Sequence, residues 1–61
     1  MIVKILDLKV NKCYRKWLNY KQLKNMEYGD IIIYRFNKIG IINKVNIKEK
    51  VIILLNNSLL V

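Results

Sequence analysis

The sequence predicts a mainly β domain, a small barrel or sandwich of about five short strands with one short helix near residues 20–25. Two observations predict it. Apolar residues recur mostly at every second position, and turn-forming residues interrupt them at short intervals. The chain of 61 residues is 54% hydrophobic and contains no proline, which favours a packed core over disorder. A chain of this length is expected to form a single domain, 1–61, around one small core.

The first strand is expected within residues 2–10, IVKILDLKV, where one face is apolar apart from Lys4. The apolar members of that face are Ile2, Leu6, Leu8 and Val10. Asn11–Lys12 is expected to turn the chain, because asparagine tolerates a positive φ. Residues 13–18 fit either a return strand or the start of a helix, and we favour the strand. Cys13 is expected to be a small buried side chain.

A short helix is expected over residues 20–25. Asn19 and Gln22 stand three positions apart, which is the spacing of a capping box at a helix start. Leu23 is then expected to point toward the core.

The second half of the chain is expected to be all strand and turn. Asp30–Phe36, Ile39–Ile47 and Val51–Leu55 are the expected strands, the last of them apolar throughout and therefore central in the sheet. In the Ile39–Ile47 strand, strict alternation places Ile39, Ile41, Val45 and Ile47 on one face and Lys38, Lys44 and Asn46 on the other. Turns are expected at 37–38, 48–49 and 56–57, and a last short strand at Leu59–Val61.

Residues 29–55 read GDIIIYRFNKIGIINKVNIKEKVIILL, in which Gly29–Asp30 opens a strand and Gly40 lies inside the next one. This stretch resembles the KOW motif, a pair of hairpins within the SH3-like barrels of ribosomal and transcription-elongation proteins. The resemblance implies a small SH3-like barrel in which Gly40 permits a bulge or bend. The first loop, Arg35–Lys38, departs from the family, whose loop is usually richer in glycine and proline.

The residue types needed for most catalysis and metal binding are scarce. The chain has no histidine, one cysteine and four dispersed carboxylates, so we expect no enzyme activity, no metal site and no cofactor. The unpaired Cys13 favours a reducing cytoplasm. No apolar run approaches the about 20 residues of a membrane span, and the period-two pattern argues against a membrane-active amphipathic helix, so no membrane partner is expected.

The formal net charge is +8 and the pI about 9.9, which favours phosphate backbones or an acidic protein as partner. The stretch YRKWLNYKQLK, residues 14–24, interleaves cations with aromatic rings. We therefore predict a surface that binds RNA or single-stranded DNA through phosphate contacts and base stacking. Its candidate residues are Lys12, Arg15, Lys16, Trp17, Tyr20, Lys21, Lys24, Tyr34, Arg35, Lys38 and Lys44.

Two points stay open at the level of sequence. Trp17 fits a core position as well as a stacking position. The same composition also fits a protein-binding regulator or inhibitor module encoded by a mobile element, one that recognises an acidic partner. Under either function we expect self-association, because a barrel this small without disulfides or metals is marginally stable alone.

Overall fold

The computed structural model describes residues 1–55, which form five strands and one short helix. In chain order the elements are β1 (Ile2–Asp7), β2 (Lys12–Trp17), α1 (Tyr20–Lys24), β3 (Ile31–Arg35), β4 (Lys38–Asn46) and β5 (Val51–Leu54). The mainly β class with one short helix is thereby confirmed. The expected turn at 56–57 and strand at Leu59–Val61 lie outside the described residues.

The five strands form one sheet in the order β2-β1-β5-β4-β3. Neighbours are antiparallel except β1 and β5, which are parallel. The outer strands β2 and β3 approach each other, so the sheet curls into a nearly closed barrel that is compatible with an SH3-like fold. The expected central place of β5 is confirmed.

The core fills the barrel with aliphatic side chains from nearly every element. Its fully buried members are Val3, Ile5, Leu23, Ile42 and Ile52. The helix closes one end of the barrel through Leu23, as expected. Tyr14 and Tyr34 complete the core near the other end, with ring centroids 5.0 Å apart and planes tilted by 54°.

The predicted face of the first strand is wrong. Val3 and Ile5 point inward, and Ile2, Lys4 and Leu6 point outward. The strand also ends at Asp7, so that Leu8 and Val10 are exposed in a four-residue turn.

Residues 8–11 form a four-residue turn between β1 and β2, not the expected two-residue turn at Asn11–Lys12. The two strands pair from Asp7 and Lys12, so Lys12 already belongs to β2. Asn11 does adopt the expected positive φ, 55°. Cys13 is exposed rather than buried, since it pairs with outward-facing Leu6 across the sheet.

A β-bulge also overturns the predicted faces of the strand that became β4. The register with β5 shifts between Ile42 and Lys44, so Ile42 and Val45 both face the core although they are three residues apart. Ile39 and Ile41 consequently lie on the outer face.

Gly40 faces the interior, opposite Ile32 of β3. A Cβ on Gly40 would lie 2.8 Å from Cδ1 of Leu54 and 3.1 Å from Cε1 of Tyr34. Glycine is therefore used here for close packing, while the bulge itself lies further along β4.

Candidate nucleic-acid interface

Trp17 ends β2 on the outer face of the barrel, where its side chain is 65% exposed. Because side chains alternate along a strand, Arg15 and Cys13 point to the same side of β2 as Trp17, and successive members of this row lie about 7 Å apart. Directly across the ladder, Ile2 pairs with Trp17 and Lys4 pairs with Arg15. The structure thus places an exposed indole beside two cations, which resolves the position of Trp17.

The helix adds a second group of exposed residues at the same end of β2. Leu18 continues the pairing with β1 by donating its backbone N–H to the Met1 carbonyl at 3.0 Å. Asn19 then caps the helix: its side chain accepts from the Gln22 N–H at 2.8 Å, and the Gln22 side chain accepts from the Asn19 N–H at 3.0 Å. With Leu23 anchored in the core, three candidates remain exposed, namely Tyr20, Lys21 and Lys24.

The β3–β4 hairpin brings a third group close to β2. The guanidinium carbon of Arg35 lies 5.6 Å from the centroid of the Tyr14 ring, in a cation–π arrangement. Arg35 pairs with Lys38 across the hairpin, and both side chains are exposed. Lys12, at the near end of β2, is exposed as well.

Three candidates lie elsewhere. Tyr34 is buried, which removes it from the stacking surface. Lys16 is half-buried and pairs with Val3, so it points to the inner side of β2. Lys44 lies on β4, three strands away from β2, or roughly 14 Å along the curved sheet.

Tyr34 instead joins the inner faces of β3 and β1. Its hydroxyl donates to Asp7 Oδ2 at 3.2 Å, and Asp7 Oδ1 accepts from the Lys9 N–H at 3.2 Å. Burial disfavours the phenolate and the Asp7 carboxylate repels it, so the pKa of Tyr34 is raised above its ordinary value of 10.0. The tyrosine is therefore neutral at physiological pH and acts as a hydrogen-bond donor.

Asp7, Asp30 and Glu49 accept hydrogen bonds at turns and strand ends. Asp30 Oδ2 accepts from the Glu27 N–H at 2.9 Å, and Glu49 accepts from the Asn46 amide at 3.0 Å. By contrast, eleven of the twelve lysines and arginines are exposed, Lys16 being half-buried. The positive charge is therefore displayed to solvent over much of the surface.

A cavity of about 240 Å³ opens at the end of the barrel between Gly40 and Leu54. Its polar lining consists of Asp7, Lys9 and Tyr34, and the Asp7–Tyr34 pair is already hydrogen-bonded. Among residues 1–55 no three His, Cys, Asp or Glu side chains are placed to hold a metal ion. Within the same residues, no helix has the length and apolar character that a membrane crossing requires.

Two contributors to this surface were missed by the sequence interpretation. Lys4 was assigned to an apolar face, although a lysine among Ile2, Val3, Ile5 and Leu6 marks the outer face of that strand. Phe36 was assigned to a strand, but it lies in the β3–β4 turn with its side chain 89% exposed. Its position directly before Asn37, a turn-forming residue, was the available signal.

Comparison with protein-family models, with curated proteins and with solved structures found no match for this chain.

Proposed function

We propose that the protein is a small non-catalytic domain that binds RNA or single-stranded DNA through the outer face of β2 and the cations around it. The observation that carries this proposal is the 65% exposure of Trp17 beside Arg15 and Lys4. An exposed indole offers a stacking surface to an unpaired base, and neighbouring cations attract its phosphates. A core position for Trp17 would have argued against the proposal.

Single strands suit this surface better than a DNA duplex. Reading the major groove usually requires a helix or a two-stranded ribbon that enters the groove with base-reading side chains. The helix Tyr20–Lys24 has 5 residues and is anchored to the barrel by Leu23. Trp17 instead lies on the outer face of a sheet, where a base that is already unstacked can reach it.

The resemblance of residues 29–55 to the KOW motif supports the same function, since the ribosomal and transcription-elongation proteins that contain such SH3-like barrels function in complexes with nucleic acids. The described barrel accommodates that pattern, with β3, β4 and β5 as consecutive antiparallel neighbours. We further propose a cytoplasmic location, because the exposed Cys13 is the only cysteine and a reducing compartment keeps it free.

The test is fluorescence anisotropy of a labelled single-stranded oligonucleotide titrated with the wild type, W17A and Y28A. Loss of one base stack is worth about 1–3 kcal/mol, so W17A is expected to weaken binding about tenfold or more. Tyr28 is the matched control because it is a 69% exposed aromatic residue of the Gly29 turn, between Glu27 and Asp30. Equal affinities for W17A and wild type would exclude Trp17 as a stacking residue.

Salt supplies an independent check on the phosphate contacts. The logarithm of the binding constant should fall linearly with the logarithm of salt concentration, because each neutralised phosphate releases counterions. R15A should reduce that slope, whereas W17A should lower affinity with little change in slope. Absence of any binding by the wild type at low salt would exclude nucleic acid as the partner.

A second candidate function, binding to an acidic protein, is favoured by one specific observation. Ile31, Ile33 and Ile39 are 60–71% exposed on the outer face of the β3–β4 hairpin. Exposed apolar clusters of this kind often mark contacts with proteins, and Arg35 and Lys38 border this one. A regulator or inhibitor would contact its partner through this isoleucine patch. I33K should therefore weaken binding to that partner while leaving the β2 face intact.

A further inference from the structure

The tip of the β3–β4 hairpin holds the most exposed large apolar side chain of the described residues. Phe36 is 89% exposed, and the adjacent Asn37 adopts φ 59°, which reverses the chain within a two-residue turn. Arg35 and Lys38 pair at the base of this turn. The ring therefore projects into solvent between two cations. A phenylalanine in this position costs solubility and contributes nothing to the core.

The position of this tip relative to β2 is set by contacts at the root of the hairpin. Arg35 lies over the Tyr14 ring of β2 at 5.6 Å, and Tyr14 packs against Tyr34 with centroids 5.0 Å apart. Tyr34 is in turn tied to Asp7 by its hydroxyl. These contacts hold the start of the turn beside the Lys12 end of β2.

Trp17 lies at the opposite end of the same strand. From Lys12 to Trp17 the strand advances five residues, which spans about 17 Å. Arg15 lies on the outer face between the two ends, and Arg35 is the cation next to Phe36. Lys12 is exposed at the same end, but it alternates with Cys13 and so lies on the side of β2 that Lys16 occupies. The molecule thus has one exposed ring at each end of β2, with Arg15 between them and Arg35 beside Phe36.

We infer that one single strand lies along β2, with one base stacked on Trp17 and another, several nucleotides away, stacked on Phe36. The phosphates between these bases contact Arg15 and Arg35. This inference rests on the proposed function and makes it more specific: the ligand is a flexible single strand long enough to reach both rings. OB-fold domains, which are also small barrels, bind about 4–16 nucleotides each.

The inference predicts that affinity depends on oligonucleotide length through Phe36. A single strand of about ten nucleotides reaches both rings, whereas a trinucleotide reaches one. F36A should weaken binding of the longer strand about tenfold and leave the trinucleotide unaffected. W17A should weaken binding of the longer strand to a similar extent, and Y28A is the control for loss of an exposed ring elsewhere.

Conservative variants separate stacking from general apolar contact. F36Y keeps a flat ring and should restore binding of the longer strand, while F36L keeps an apolar side chain without a ring and should not. Because Phe36 is almost fully exposed, these variants are expected to fold as the wild type does. Matching circular dichroism spectra and unfolding midpoints would verify this before binding is measured.

The outcomes distinguish the two proposals. If W17A loses affinity for the longer strand and F36A does not, the β2 face binds nucleic acid but the strand does not reach the hairpin tip, and the inference is overturned. If the wild type binds neither oligonucleotide at low salt, the proposed function fails and the inference with it. Equal recovery by F36L and F36Y would also overturn a stacking role for Phe36.

The alkylation rate of Cys13 provides a second test of whether a bound strand lies along β2. Its thiol is exposed on the outer face of β2, between Lys12 and the Arg15–Trp17 pair. A bound strand of about ten nucleotides should slow alkylation of Cys13 by iodoacetamide in the wild type, and less so in F36A. An unchanged alkylation rate at saturating oligonucleotide would place the strand elsewhere.

Discussion

At the residue scale, Tyr34 shows how one polar atom organises a barrel made mostly of aliphatic side chains. Its ring packs on Tyr14, its edge limits the space at Gly40, and its hydroxyl reaches Asp7 on β1. Strands β3 and β1 are distant in the sheet order but face each other across the interior. A single hydrogen bond therefore connects two parts of the sheet that share no ladder.

The raised pKa of Tyr34 gives a prediction about pH. The unfolded chain releases the phenolic proton near the ordinary value of 10.0, before the folded protein does. The native state then binds more protons, so the free energy of unfolding should fall as pH rises from about 10 through the raised pKa. Below that range the contribution is fully present.

Urea unfolding of the wild type and Y34F between pH 8 and 11 measures this effect. At pH 8, Y34F should be less stable by about 1 kcal/mol, because it lacks the hydrogen bond to Asp7. Above pH 10 its stability should decline less steeply than that of the wild type. Parallel curves for the two proteins would show that Tyr34 ionises equally in both states. Contributions common to both proteins cancel in the difference between their stability curves, which leaves the contribution of Tyr34.

At the scale of elements, the helix Tyr20–Lys24 is short and depends on its capping box. Both reciprocal bonds between Asn19 and Gln22 are formed. Five residues are too few for a helix to persist on intrinsic propensity, so the cap and the burial of Leu23 hold it in place. The exposed Tyr20, Lys21 and Lys24 are oriented by these two constraints.

N19A is therefore expected to lower the free energy of unfolding by about 1 kcal/mol, the usual cost of removing a cap side chain. N25A is the matched control, because Asn25 is exposed at the other helix end and contributes its backbone N–H to the cap. Its effect should stay within about 0.5 kcal/mol. Chemical unfolding of both variants gives the comparison. Equal destabilisation would assign the effect to asparagine loss in general.

Sequence patterns located the helix, its cap and the strands of the second half within one or two residues. For β1 and β4, however, these patterns predicted the wrong buried face. In β1 each face holds one charged residue among apolar ones, Lys4 on one and Asp7 on the other, so alternation alone does not choose between them. In β4 the bulge between Ile42 and Lys44 shifts the side-chain alternation, a feature that period-two patterns do not contain.

The candidate site was predictable in composition but not in arrangement. Arg15, Trp17, Tyr20 and the helix lysines are neighbours in sequence and are all exposed. Lys44 and Tyr34 were grouped with them on residue type alone. The strand order places Lys44 three strands from β2, and side-chain alternation along β3 turns Tyr34 inward. Phe36 was overlooked because the apolar run of β3 was extended through it, although the turn-forming Asn37 follows it directly.

At the scale of the whole molecule, the isoleucine patch and the net charge act in opposite directions. Ile31, Ile33 and Ile39 are expected to favour contact with a second copy, whereas a charge of +8 repels it. Self-association should therefore increase with protein concentration and with salt, which screens the repulsion. Binding to nucleic acid has the opposite salt dependence.

Sedimentation velocity at low and moderate salt tests this balance. I33K should remain monomeric under conditions where the wild type associates, because it places a charge within the patch. L8K adds the same charge at an exposed leucine in the β1–β2 turn, outside the patch, and should behave as the wild type. A monomeric wild type at all concentrations and salt levels would show that the patch does not pair with itself.

The parallel pairing of β1 with β5 has a consequence for biosynthesis. The two hairpins, β1–β2 and β3–β4, are complete when the ribosome has made Asn46, but the strand that lies between them in the sheet begins at Val51. Until β5 emerges, each hairpin lacks its neighbour and neither can enclose a core. Contacts so far apart in sequence form slowly, and the nascent chain exposes apolar surface during that interval. Final assembly of this barrel must therefore follow translation of its central strand rather than accompany it.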